Sequence, residues 1–414
     1  MNSSPDPSAK ARALEGIDAT ADPAPAGVET VYFDTATLAL AARQITLQYR
    51  TGGLDAGWQL SFRAGRGQPP DVVVPAGRPG KVPGEVLRQV LVYTRGAGII
   101  PVARTLGGAA AAERTAGIRK PSRKGPAVDV AIAYLDLQIT EILAQDPGVR
   151  QANPDAVYRL RSATRSARSA LATYRKLFRK PAVRHLQDEL KWLAGILGQA
   201  RDAEVTRNRL RVHLLALLPE LREETVPARV EDQLAAALEA RYRAVVKTLE
   251  TSRYYRLLDA LEEFRNHPPV TPRAARPAGR ETAILVNRVA TRLDRAHRAA
   301  AQLKRGPARE DALHRVRKDA KNLRYAAESV AGLHGKRAAA MVSSAQALQK
   351  ILGVHRDAVM ARAFLGALAA DPSLPDATAA AYRRIRRVEK SIVRATEKEY
   401  FTAWQKTAGV RLRR

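Results

Sequence analysis

Two stretches of this chain, VYRLRSATRSAR from Val157 and LHRVRKDAKNLR from Leu313, carry the same four-point polar stripe. Each begins with a ring and places cations three, seven and ten positions on. The first stripe is Tyr158, Arg161, Arg165 and Arg168; the second is His314, Arg317, Lys321 and Arg324. On an α-helix those offsets fall within an arc of roughly 80°, so each stretch builds one basic face about 15 Å long. A second landmark repeats with them. Leu197-Gly198 and Arg201-Asp202 return as Leu352-Gly353 and Arg356-Asp357, 155 positions on, against 156 for the stripes. Two landmarks at nearly one offset mark an internal duplication. The chain is thereby held to two copies of one helical unit, each built to present cations to a polyanion.

Each motif helix has a second stripe about 100° from the first. Val157, Leu160, Thr164, Ala167, Leu171 and Tyr174 share one face, and Leu313, Val316, Ala320, Leu323, Ala327 and Val330 share its counterpart. One face therefore packs into a bundle while its neighbour stays open and positive. An Arg-rich face is ordinarily just solvated surface, with Glu or Asp four residues from the cations. Here the i+4 partners are themselves basic, Arg161 to Arg165 and Arg317 to Lys321. That self-repulsion calls for an external anion.

Charge follows the same division. The net charge is +29, and residues 121–414 hold 56 of the Lys and Arg against 31 Asp and Glu. The surplus in residues 1–120 is only 4. Such an excess argues for polyphosphate, nucleic acid or a membrane surface as partner. There is no cysteine, which excludes disulfides, Cys-ligated zinc and Cys catalysis. No apolar run is long enough for a membrane span, and MNSSPDPSAK lacks a secretory signal pattern. A cytoplasmic protein is expected.

Residues 1–27 are Ala/Pro/Asp/Ser rich and read as disordered. From 28 to 106, VETVYFD, ITLQYR, GWQLSFRA and DVVVPAG read as short strands, and Val82–Thr94 as a helix. Residues 107–127 form a basic linker. The rest is helical to 410: repeat 1 over 128–266, a proline-rich break over 267–280, and repeat 2 over 281–410. About four helices are expected in each repeat, Val230–Phe264 being one of them. The fold class is mainly α: two pseudo-twofold-related four-helix bundles after a small α+β sheet segment.

VYRLRSATRSARSAL, LGQARDAEV, LHRVRKDAKNLRYAAE and LQKILGVHRDA resemble the CHAD domain, the conserved-histidine α-helical domain. The resemblance covers about 128–410. It implies the two bundles and a basic channel that binds inorganic polyphosphate. The named histidine falls on His314; in repeat 1 the position is Tyr158, which hydrogen-bonds but does not become cationic at neutral pH. Any pH sensitivity is therefore expected in the second repeat. Position 166, often Arg in the family, is Ser166. Arg201 and Arg356 either extend the channel or flank Asp202 and Asp357 in structural ion pairs. Lys191 and Tyr325 are weaker candidates, and the row Arg383, Arg387, Lys390, Arg394 reads as a solvated face. His185, His213, His297, His334 and His355 show no metal-ligand spacing, and GRG at 65–67 is too short for a phosphate loop.

VYFDTATLALAARQITLQYRTGGLDAGWQLSF resembles the central strands of a CYTH domain, the triphosphate tunnel fold. The resemblance implies a site of Arg, Lys and Glu rows with an ExExK strand. That strand is missing, Gln48 stands where Arg is usual, and Ser61 where Lys is usual. Arg50, Arg63 and Arg66 remain for anions, and only Asp34, Asp55 and Asp71 for a metal, so hydrolysis is not expected. The expected function is non-enzymatic polyphosphate binding by Tyr158, Arg161, Arg165, Arg168, Arg201, His314, Arg317, Lys321, Arg324 and Arg356, with no cofactor or metal. Association with polyphosphate granules overlaps with it. The alternatives are nucleic-acid binding and residual triphosphatase activity.

Overall fold

The computed structural model describes residues 29–52, 55–62, 72–75, 81–102, 119–153, 155–217, 225–370, 372, 376–407, 409 and 411–413. The expected disorder of 1–27, most of the 107–127 linker, Arg63, the 65–67 GRG with Arg66, Asp71 and the side chain of His213 lie outside the described residues.

The strand-like segment is an antiparallel sheet of β1 (Glu29–Asp34), β2 (Ile45–Thr51), β3 (Gly57–Phe62), β4 (Val72–Pro75) and β5 (Ile100–Val102) in the order β4-β3-β2-β1-β5. Its alternation buries Leu47, Trp58 and Leu60 on one face, with Val86 and Val90 of α1 (Gly84–Thr94) in the same core. Strand β5 was not legible in the sequence. Three residues in IPV give no alternation to read, and it is register with Tyr32–Asp34 that makes them a strand. The other face carries Tyr32, Gln48, Gln59 and Ser61, with Gln48 bonded to Gln59 across the strands at 2.7 Å.

The duplication is plain in the helices. Repeat 1 contains α2 (Ala127–Arg150), α3 (Ala156–Tyr174), α4 (Lys180–Leu217), α5 (Thr225–Leu249) and α6 (Ser252–Asn266). Repeat 2 contains α7 (Ala278–Ala301), α8 (Pro307–Glu328), α9 (Ala331–Leu368) and α10 (Asp376–Thr407). Helices α2 and α7 are both 24 residues long, and α4 and α9 both 38. Helix α9 is kinked at Gly335, whose φ of 47° favours glycine. The segment Val230–Phe264, expected as one helix, is two. Thr251 takes an extended conformation and its side chain accepts the Tyr254 N–H, which caps α6 and ends the continuous run. Likewise α7 starts inside the expected proline break, directly after Pro277.

The two repeats meet symmetrically at their entries. Ala127 N donates to Arg276 O at 2.9 Å, and Ala278 N donates to Gly125 O at 2.8 Å. Each residue of one bond stands 151 positions from its counterpart in the other. That reciprocity is the mark of a twofold relation. One apolar core then runs through both repeats, including Leu160, Leu171, Leu313, Val316 and Leu323. The sheet is tied to it through α6: Arg43 and Arg95 both reach Glu262, at 2.6 and 2.7 Å, and Arg95 also reaches Asp259 at 2.8 Å.

Candidate polyanion groove

Helices α3 and α8 lie side by side. Ser169 Oγ donates to Asn322 Oδ1 at 3.3 Å, and the Tyr174 and Ser329 hydroxyls meet at 2.6 Å. Both contacts advance in the same direction along the two helices, so α3 and α8 run in the same sense. Equivalent positions of the two stripes therefore stand level with each other. Their apolar stripes are buried as the helical repeat demands. The cations between them are half-buried, neither drowned in the core nor fully solvated.

The charges of the two stripes act on one another across this groove. Arg161 is pushed down by burial and then by Arg165, with Arg317 adding to it. Arg317 is pushed down by burial, and Arg165 and Arg356 lower it further. Lys321 falls to about 6, first through burial and then through Arg317, Arg165, Arg161 and Arg324. His314 falls to about 4, through burial and then Arg356, Lys318, Arg317 and Arg165. An ammonium among guanidinium groups in a low-dielectric groove sheds its proton easily. The imidazole is thus neutral near pH 7, and Lys321 is brought close to neutrality.

The Leu-Gly-x-x-Arg-Asp landmarks sit behind these arginines. A Cβ on Gly198 would stand 3.7 Å from Arg161 Nε, and one on Gly353 3.8 Å from an Arg317 Nη. The guanidinium of each stripe's first arginine therefore lies over the glycine of its own repeat. Asp202 reaches Arg161 at 3.6 Å, and Asp357 is the strongest acid acting on Arg317. Each aspartate favours the charged form of its own repeat's first arginine. The buried Nε of both Arg161 and Arg317 has no hydrogen-bond partner, nor does Nδ1 of His314. Two symmetry-related buried guanidinium donors without acceptors suit an oxyanion.

The two ends of the groove differ. At one, Tyr158 is 47% exposed and Arg201 lies over its ring at 5.1 Å. Arg201 is also paired with Glu204 at 2.7 Å, so it is less available than its sequence position suggests, whereas Arg356 has no such pair among the described residues. At the other end, Arg324 is bonded to Glu328 at 3.0 Å and stacked on Tyr325, while Tyr134 also reaches Glu328. The position 156 residues before Glu328 is Ala172, so this acid belongs to repeat 2 alone. Glu328 competes with any anion for Arg324. A Glu328→Gln variant is expected to bind polyanions several-fold tighter, read by titration at fixed salt; unchanged or weaker affinity would show that Arg324 is not a ligand.

Lys318 completes the set. It feels Arg165, Arg356, Arg168 and Arg315, which places it among cations of α3, α8 and α9. It lies about 100° from Arg317 on the helix, outside the stripe, and its repeat-1 counterpart is Ser162. Neither spacing nor repetition marked it. Among the described residues Arg165, Arg168, Lys318, Lys321 and Arg356 make no hydrogen bond or ion pair within the chain. Tyr325 is buried against Arg324 rather than open to solvent, and Lys191 is exposed on α4. His297 stacks on Trp404 at 3.9 Å, His334 meets Thr282, and His355 is buried beside Glu397. No helix among the described residues is long and apolar enough to cross a membrane.

Comparison with known proteins agrees with this architecture. Uncharacterized protein MT2285 of Mycobacterium tuberculosis (strain CDC 1551 / Oshkosh) is 30% identical over 82% of this chain and 81% of its own length. The same values hold for Uncharacterized protein Rv2226 of Mycobacterium tuberculosis (strain ATCC 25618 / H37Rv). The structure of PptA from Streptomyces chartreusis superposes with a TM-score of 0.57 at 25% identity, over 68% of this chain and 99% of that one. The CHAD domain from the plant Ricinus communis also gives 0.57, at 23% identity over 72% of this chain and 96% of that one, a likeness of fold alone. A family model described as the CHAD domain matches residues 133–366, which span both motif helices and both Leu-Gly-x-x-Arg-Asp landmarks. The chain belongs to the CHAD-domain family.

Proposed function

We propose that this protein binds inorganic polyphosphate, without turning it over, in the groove between α3 and α8. The observation that carries the reading is the level pair Arg165 and Lys321. They stand close enough for Arg165 to depress Lys321, and among the described residues neither has an acid partner. A groove so charged is completed by an anion. Family membership supports inorganic phosphate as its chemistry. Arginine offers its planar fork to phosphate oxygens and lysine a point charge, and many such contacts along one chain favour long polymers.

We read the sheet as the remnant of a triphosphate tunnel that has lost its reaction. Asp34, a candidate metal carboxylate, already accepts the backbone N–H groups of Thr35, Leu40 and Ala41 at 2.7, 2.9 and 2.8 Å. Gln48, which stands where an Arg is usual, bonds Gln59 across the strands instead.

Titration of the full chain with long-chain polyphosphate tests the main reading, with RNA of equal charge as competitor. Polyphosphate is expected to displace RNA, at a concentration at least tenfold below that needed for the reverse. Equal competition would make this a general polyanion binder. Phosphate release from tripolyphosphate or ATP with Mg²⁺ or Mn²⁺, lost on substituting Arg50, would overturn the non-enzymatic assignment.

A further inference from the structure

Helix α10 carries a second basic row, on the outside of the molecule. Arg383, Arg387, Lys390, Arg394 and Lys398 are all exposed. Their spacing puts them within an arc of roughly 80° and along about 22 Å of helix, a longer row than either groove stripe. Between Arg383 and Lys398 the helix has only two acids, Glu389 and Glu397, and both are buried on its inner side. Arg209 of α4 takes both carboxylate oxygens of Glu389 at 2.6 Å. Arg305 and Arg309 approach Glu397 at 3.4 and 3.9 Å. The acids are therefore consumed by arginines outside α10. The exposed Glu399 lies at least about 100° from every member of the row. None of Arg387, Lys390, Arg394 and Lys398 makes an ion pair among the described residues. A solvated helix of this length ordinarily intersperses acids at i+4. Here each i+3 or i+4 neighbour along the row is another cation.

We infer that the outer face of α10 is a second polyphosphate-binding track, which holds stretches of a long chain outside the groove. The ligand class rests on the reading of the groove; the track itself rests on α10. The row has no aromatic residue. The rings of α10 face inward: Tyr382 and Tyr400 are buried, and Trp404 stacks on His297. A face of bare charge with no stacking platform suits a polymer with no bases better than single-stranded nucleic acid. It adds affinity only for chains long enough to occupy groove and face together.

The test is an Arg387→Glu/Lys390→Glu/Arg394→Glu variant of the full chain, titrated with tripolyphosphate and with long-chain polyphosphate over a salt series. Long-chain affinity is expected to fall at least tenfold, with the slope against log salt reduced by about three, roughly one per lost phosphate contact. Tripolyphosphate affinity is expected to stay as in the unaltered protein. Unchanged long-chain affinity and slope would show a merely solvated face, and equal loss for both ligands would show that the face is not separate from the groove. An Arg165→Glu/Lys321→Glu groove variant separates the two readings. If it keeps long-chain binding while the α10 variant loses it, the groove reading fails and the track stands. If the groove variant keeps duplex DNA binding and the α10 variant loses it, with polyphosphate unaffected, the occupant is nucleic acid and the inference is overturned.

Discussion

An Arg165→Glu/Lys321→Glu double variant is expected to lose polyphosphate binding while its helical content and melting temperature hold or rise. The two side chains stand level on α3 and α8. The charge of Arg165 bears on Arg161, Arg168, Arg317, Lys318, Lys321 and His314. Opposing like charges across an interface costs several kcal/mol, so two reversals lower affinity by on the order of 100-fold or more. The fold has little to lose. Among the described residues neither side chain makes a bond that the change would break, and the change removes like-charge crowding. Arg161 and Arg317 would be poorer choices, because Asp202 and Asp357 stand beside them and a new glutamate would be repelled. Calorimetric titration, with circular dichroism as the control, reads the result; affinity within twofold of the unaltered protein would remove the groove from the account.

Polyphosphate affinity is expected to rise as pH falls from 8 to 6, and the Lys321→Arg variant to flatten that profile. Free Lys321 sits at about 6 and is mostly neutral at pH 7. A bound polyanion favours the ammonium, so binding takes up a proton. Between the free and bound values, affinity then grows up to about tenfold per unit of falling pH. Arginine stays charged throughout, and repeat 1 already has Arg165 at the matching position. Lys321→Arg should bind more tightly than the unaltered protein at pH 8 and converge with it near pH 6. His314, at about 4, contributes at the acid end. Proton uptake measured in two buffers of different ionisation enthalpy checks the stoichiometry; parallel profiles for the two proteins would refute the assignment. The same depression acts on the unliganded fold with the opposite sign. A base depressed in the folded state is more readily protonated unfolded, so its contribution weakens stability as pH falls from the ordinary lysine value towards 6.

Much of this was legible in the chain because helices expose their plan in period. The stripes of α3 and α8, their buried partners and the glycine–aspartate landmarks are all local patterns repeated at one offset. Lys318 and Glu328 were not singled out by repetition. Neither recurs in repeat 1, with Ser162 and Ala172 at the matching positions. The importance of Lys318 comes from neighbours on other helices, and that of Glu328 from Arg324 four residues before it on α8. The division at Thr251 was missed for a different reason, since a capping hydroxyl is one local bond that apolar period does not register.

The sequence by itself determined the duplication, the helical class and the two cation stripes, because repetition and period are properties of one chain read along its length. Only the tertiary structure decided what those charges are worth. Packing α3 against α8 in the same sense brings like cations level and strips them of water. Among the described residues it leaves Arg165 and Lys321 without an acid partner, while Arg324 and Arg201 keep the acids of their own helices, Glu328 and Glu204. It also lowers His314 to about 4 and Lys321 to about 6, so the pH response expected of the histidine is now expected of the lysine. Desolvation and the charge of neighbours set that value, and both are properties of the folded environment.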